Sequence, residues 1–286
     1  MKQYHKAGYD VYHYDFETLH QFLNQSQAAE FNANVFDVHD PSSRGNSTSW
    51  AGTSTYEEAV ELCQKGWSEG FEKLVRLKKR IDEKVLSPIV KPRQVSDIVG
   101  YNPSVADWLQ GNPLNMWNSA KKQIPTFINI YLNMAYNCGT DRDEIFNRGI
   151  VVQSIVDALQ DRGYSVRFKT CICVEYDDEM IFAVFKLKGE GEKLNIRKTY
   201  FPLCHPSFFR RLVFRLMETT PVRYSGWESG YGHPTNSRDL REIINPGPND
   251  IVITQPSDIG IRGYDIDDDL EAILEFTNLQ EILAKA

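Results

Sequence analysis

No stretch of the chain approaches the roughly 18 consecutive apolar residues that a membrane-spanning helix needs. The opening Met1-Lys2-Gln3-Tyr4-His5 leads into no apolar segment of the kind that directs secretion. The expectation is a protein without membrane contact that stays in the cytoplasm where it is made. Cysteine is scarce as well. Cys63, Cys138, Cys171, Cys173 and Cys204 make an odd, scattered set of five, so reduced thiols are expected rather than a disulfide framework. Also missing are a phosphate-cradling glycine loop, a Ser-His-Asp order, a metalloprotease helix and any internal repeat. Basic residues are outnumbered, 32 Lys and Arg against 39 Asp and Glu for a net charge of −7. That balance excludes a surface given over wholly to nucleic acid or anionic lipid, although a local basic patch stays open.

What is present suffices for a full core: 286 residues, 41% apolar and 12% aromatic, enough for one large domain or about two ordinary ones. Three stretches differ in character. Residues 1–48 form an aromatic-rich lead-in, where Tyr4, Tyr9, Tyr12, Tyr14 and Phe16 must dock on something to avoid exposure. Residues 49–125 read as a helical and connecting region. Ser54 with Glu57, or Thr55 with Glu58, fits a capping box, in which side chains satisfy orphan backbone N–H groups. Ala59, Leu62, Cys63, Gly66, Gly70, Leu74 and Leu77 then recur at three- and four-residue steps, which predicts one buried helix face. Inside a helix each glycine costs about 1 kcal/mol relative to Ala, so at Gly66 and Gly70 either a partner approaches closely or the helix breaks. Pro88, Pro92, Pro103, Pro113 and Pro125 punctuate the rest, read as a connection with short helical turns.

Residues 126–286 carry the clearest pattern. The apolar run 127–132 suits a buried strand, and residues 141–161 suit a helix ending at Arg162-Gly163. Residues 166–174 and 180–187 read as two strands of a hairpin about the acidic turn 175–179. A helix at 206–218, a Gly/Pro/Ser-rich loop at 225–234, a short helix near Arg238, a strand at 251–254 and a helix from Asp268 follow. Apolar strands alternating with helices predict an α/β fold, a mostly parallel Rossmann-like sheet flanked by helices, with an N-terminal helical region attached.

In such a sheet ligands favour the carboxyl ends of the strands. The loop after the first strand reads Asn133-Met134-Ala135-Tyr136-Asn137. In its setting of strand, loop, long helix and further strands, it resembles the von Willebrand factor A-type fold, whose metal site has the form Asp-x-Ser-x-Ser. Here Asn133, Ala135 and Asn137 replace those three ligands, and neutral amides with a methyl group do not suit a hard divalent cation. Asn133 and Asn137 are expected as loop caps, and no metal or cofactor is expected.

The run Asp265-Ile266-Asp267-Asp268-Asp269 looks like carboxylates capping the last helix, since an EF-hand needs glycine where Leu270 stands. Cys171 and Cys173 share a strand face and read as core. Cys204 and His205 precede the helix start at Pro206, where a helix dipole can lower a thiol pKa. Arg210, Arg211 and Arg215 make one basic, aromatic helix suited to phosphates, to a partner's carboxylates, or to this chain's own acids. Trp227, Tyr231 and His233 lie in a loop of binding-loop composition.

Spaced short segments complete the reading: Ser49-Trp50-Ala51-Gly52, Glu58-Ala59, Gly66-Trp67, Gly70, Gly100-Tyr101-Asn102-Pro103 and Gly111-Asn112-Pro113-Leu114-Asn115-Met116. With them go Asn147-Arg148-Gly149, Asp157-Ala158-Leu159, Gly163-Tyr164, His205-Pro206-Ser207, Arg210-Arg211 and Tyr231-Gly232. Over residues 49–235 the chain thereby resembles a family of bacteriophage proteins defined as a domain of unknown function. The resemblance implies a phage or prophage origin and the cytoplasm of a host bacterium, and it carries no activity. The expected function is a non-enzymatic binding or assembly protein with a protein partner or a second copy. Partner contacts are expected at Asn133, Asn137, His205, Arg210, Arg211, Arg215, Trp227, Tyr231 and His233. The alternatives are a nucleic-acid binder using the arginine helix, and an enzyme of nucleic acid or nucleotides using Asp258, Asp265 and Asp267 with His205 or His233.

Overall fold

The aromatic lead-in folds as a hairpin. In the computed structural model, which describes residues 1–33, 48–69, 71–84, 94–100, 102–119, 127–161, 164–223 and 233–277, β1 (Lys2–Lys6) pairs antiparallel with β2 (Tyr9–Phe16). Ala7 and Gly8 join them, both at positive φ, 54° and 88°, as a two-residue hairpin turn prefers. After α1 (Leu19–Ala28) and the short α2 (Thr48–Ala51) comes α3 (Tyr56–Lys65). The Thr55 hydroxyl accepts from Glu58 N at 3.1 Å and Glu58 reaches back to Ser54 N at 2.7 Å, so the capping signal at 54–58 is realised. The helix then breaks at Gly66 and resumes as α4 (Phe71–Lys84).

Residues 94–119 depart from the expected helical turns. They hold a three-stranded antiparallel sheet, β3 (Gln94–Asp97), β4 (Asn102–Pro103) and β5 (Met116–Ser119), with the short α5 (Val105–Leu109) between β4 and β5. Short strands without sustained alternation left little periodic signal.

The second half supplies β6 (Phe127–Asn133), α6 (Arg142–Asp161), β7 (Ser165–Tyr176), β8 (Glu179–Lys188) and α7 (Ile196–Cys204). A π-helical segment (Phe208–Val213), α8 (Phe214–Thr219), α9 (Ser237–Ile244), β9 (Asp250–Ile253), α10 (Pro256–Ile259) and α11 (Ile266–Thr277) follow. The helix end expected at Arg162-Gly163 lies outside the described residues. Helix α7, with Pro202 inside it, had no periodic announcement in the sequence.

The main sheet runs in the order β1-β2-β8-β7-β6-β9. It is mixed, mostly parallel: β2 with β8, β7 with β6 and β6 with β9 are parallel, whereas β1/β2 and the β7/β8 hairpin are antiparallel. Residues 1–16 therefore belong to the same sheet as residues 127–253. Side chains alternate between its faces. Ile128, Ile130, Leu132, Phe168, Ile172, Ile181 and Phe185 face a large core under α1, α3, α4, α6, α7 and the π-helical segment. Val11, Cys171, Cys173, Met180, Phe182 and Val252 face the other side, where Leu240 and Ile243 of α9 cover them. Helix α6 is buried over most of its length, with Asn147, Arg148, Gln153 and Ser154 among its buried residues. No described helix is long and apolar enough to cross a membrane.

Candidate functional site

The carboxyl edge of the parallel strands is built from β6, β9 and the segments that lean on them. Asn133 closes β6, almost fully buried, and its Oδ1 accepts Ala135 N at 3.1 Å. That is the local turn that Asn side chains favour. Met134 N donates to Cys171 O at 2.7 Å, so Met134, Ala135 and Tyr136 dive into the core and only Asn137 to Gly139 surface. With its one inward amide oxygen engaged by backbone, this loop does not fit a hard cation. Asn137 is exposed and its carbonyl accepts Thr140 N at 3.0 Å.

Arg210, Arg211 and Arg215 were expected on a surface; all three are buried. The reason is their surroundings. Phe208, Phe209, Leu212, Val213 and Phe214 bury the segment on every side, and the guanidiniums satisfy themselves on backbone carbonyls of their own chain. Arg210 donates to Trp50 O (2.6 Å), Cys138 O (3.3 Å) and Thr140 O (2.8 Å). It lies 4.7 Å from the Trp50 ring and 5.3 Å from that of Tyr136. Arg211 donates to Thr53 Oγ1 at 3.1 Å and Thr53 O at 2.7 Å. Arg215 donates to Ser26 O at 3.1 Å and Ala29 O at 2.7 Å. Residues 48–55 are thus strapped over this edge, with Ser207 Oγ donating to Ala51 O at 2.5 Å and Trp50 Nε1 to Cys138 O at 3.0 Å.

His205 is buried between Phe201, stacked at 5.0 Å, and Trp67, edge-on at 4.9 Å. Its Nδ1 accepts Ser207 N at 3.2 Å. Burial, helped by the Arg142 charge, pushes its pKa down to about 3. Cys204 ends α7 instead of opening a helix, and burial pushes its thiol well up. Burial thus outweighs the lowering that a helix start can give. His233 is exposed, and its carbonyl accepts Glu175 N at 3.2 Å. Trp227 and Tyr231 lie outside the described residues.

The acids of the enzyme alternative are engaged locally. Asp258 accepts from Ser237 Oγ (2.5 Å) and Gln255 Nε2 (3.1 Å), Asp265 caps Asp267 N at 2.7 Å, and Asp267 pairs with Arg80. Among the described residues no three His, Cys, Asp or Glu side chains gather as a metal-binding group.

Sequence reasoning put ligands at the carboxyl ends of the strands, Thr254 among them, but gave Arg148 and Trp50 no role at the site. Arg148 held a signal: it stands on the stripe Ile145, Arg148, Gly149, Val152, where an apolar residue belongs. Residues 3–284 match the family model described as Domain of unknown function (DUF7192). No curated protein and no solved structure matches the chain. A match over nearly the whole length, from the β1 hairpin through the last helix, places the chain in the DUF7192 family.

Proposed function

We propose that this chain is a non-enzymatic recognition protein, docking on another protein or on a second copy of itself through the apolar face of the 94–119 module. One observation supports the reading. Of the ten large apolar side chains exposed among the described residues, six (Ile98, Val99, Val105, Trp108, Leu109 and Leu114) fall in this short module. Val105, Trp108 and Leu109 stand at i, i+3 and i+4 on α5 and are 65%, 65% and 72% exposed. That spacing puts them on one helix side. Such an apolar helix side in contact with water marks an interaction site, with Trp108 as the residue type that anchors interfaces.

The bacteriophage origin, the von Willebrand A-like reading of the sheet and the host-cytoplasm location belong to the same proposal and rest on the sequence resemblance alone. The nucleic-acid alternative through Arg210, Arg211 and Arg215 would require that buried segment to open. The enzyme alternative is favoured only by saturable Mg²⁺ or Mn²⁺ binding in calorimetry.

The test compares the full chain with a Trp108→Ala/Leu109→Ser variant by sedimentation velocity and by affinity capture from host cells. The variant is expected to lose self-association or its captured partner, while its unfolding free energy moves by no more than about 0.5 kcal/mol, as for other exposed positions. Identical complexes from both proteins would overturn the reading, as would a wild-type chain that is monomeric and captures nothing.

A further inference from the structure

Arg148, in the middle of α6, has none of its surface exposed. Its Nη1 donates to Thr254 O at 2.9 Å, and its Nη2 meets only the Met134 thioether at 3.8 Å. Its Nε has no acceptor, and no carboxylate among the described residues pairs with it. Burial lowers its pKa only to about 10, so the guanidinium is charged at neutral pH. The Nε and Nη2 edge of a guanidinium is the side that offers two parallel N–H groups to a carboxylate or phosphate. Here Nη2 meets a sulfur, a weak acceptor, and Nε meets no acceptor.

Thr254 contributes a second orphan: its hydroxyl is buried and without a partner, on the same residue whose carbonyl Arg148 holds. Arg210 Nε likewise lacks an acceptor, but both terminal nitrogens of Arg210 are held by carbonyls. Arg148 and Thr254 also stand where ligands sit in open α/β sheets, at the carboxyl ends of β6 and β9. A buried cation without a paired anion is unfavourable; the charge of Glu144 acts on it without forming an ion pair, and the aromatic ring of Tyr136, 6.0 Å away, compensates only weakly.

We propose that Arg148 and Thr254 bind a small oxyanion, a carboxylate or phosphate group, at the carboxyl edge of the main sheet. The anion takes the Nε and Nη2 edge bidentately and accepts from the Thr254 hydroxyl. Met134 is the group it displaces, since an unbranched thioether repacks readily. The site is separate from the apolar face of the 94–119 module, and neither test bears on the other.

The experiment titrates the full chain with sodium acetate and with sodium phosphate by calorimetry and thermal unfolding, using sodium chloride at equal ionic strength as reference. Arg148→Met and Thr254→Val variants run alongside. Saturable one-to-one binding of either anion, with a raised unfolding midpoint, is expected of the wild type. Acetate alone would identify a carboxylate reader, phosphate alone a phosphate reader. Arg148→Met should abolish the response, and Thr254→Val should weaken affinity roughly tenfold, the worth of one hydrogen bond to an anion. A wild type that responds no more to either anion than to chloride would sink the proposal, as would an undiminished response in Arg148→Met. Should Arg148→Met fail to fold, Thr254→Val decides, and unchanged affinity there overturns the site.

Discussion

His205 shows how far a single residue's chemistry depends on its neighbours. Two aromatic rings and a backbone N–H aimed at Nδ1 favour the neutral imidazole, and its pKa falls to about 3, against about 6.5 for histidine in an unfolded chain. Between those values the unfolded chain holds a proton that the folded one refuses. Stability therefore declines as pH falls from about 6.5 toward 3, by about 1.4 kcal/mol per pH unit from this group, and the contribution is fully present above 6.5. Replacement by Asn, which keeps a side-chain acceptor but does not titrate, should remove that component. Urea unfolding of both proteins from pH 7.5 to 4.5 measures it, with the carboxylates common to both. Equal slopes would show that His205 is not the group responsible. In the sequence His205 was legible only as a polar residue at a helix boundary, because the rings that bury it arrive from 138 residues upstream at Trp67 and from the preceding turn at Phe201.

At the scale of elements, Gly66 decides where a helix ends. It takes φ 88° and ψ 164°, a region open essentially to glycine, and a Cβ there would lie 2.8 Å from Arg197 O. Gly66→Ala should therefore destabilise the protein by roughly 2–4 kcal/mol, combining backbone strain with a clash against main chain that cannot swing aside. Gly139→Ala is the control: nothing lies within 4 Å of its Cβ position, so a change within about 0.5 kcal/mol is expected. Similar unfolding midpoints for the two variants would refute the argument. The dilemma at Gly66, close approach or broken helix, was visible in the sequence, and both halves of it turn out to hold. Its resolution was not visible, because the approaching carbonyl belongs to α7. The same limit applies to the arginines. A basic stripe four residues apart reads as a surface, and only the tertiary arrangement reveals that carbonyls at 50–54 and 138–140 are waiting inside.

For the whole molecule, the strands at 127–133, 165–176, 179–188 and 250–253 were legible because strands buried on both faces are largely apolar, even where Arg167 and Lys169 interrupt the run. The strand at 9–16 was not. Its aromatics alternate with Asp10, His13 and Asp15, and the strand it pairs with, β8, begins some 170 residues later in the chain. That pairing has a consequence for how much of the chain folds alone. Tyr14 and Phe16 lie in the main core, with Phe16 stacked on Phe185 at 5.3 Å and edge-on to Phe22 at the same spacing. Losing one buried aromatic costs about 3–5 kcal/mol, against a total stability of about 5–15 kcal/mol for a domain. A chain lacking residues 1–16 gives up both aromatics and the ladder along β8, and it leaves β8 as an open apolar edge prone to pairing with other chains. It should lose cooperative thermal unfolding and elute as aggregate on gel filtration. A monomeric truncated chain with a sharp melt near that of the full protein would show instead that the first hairpin is an accessory to the sheet.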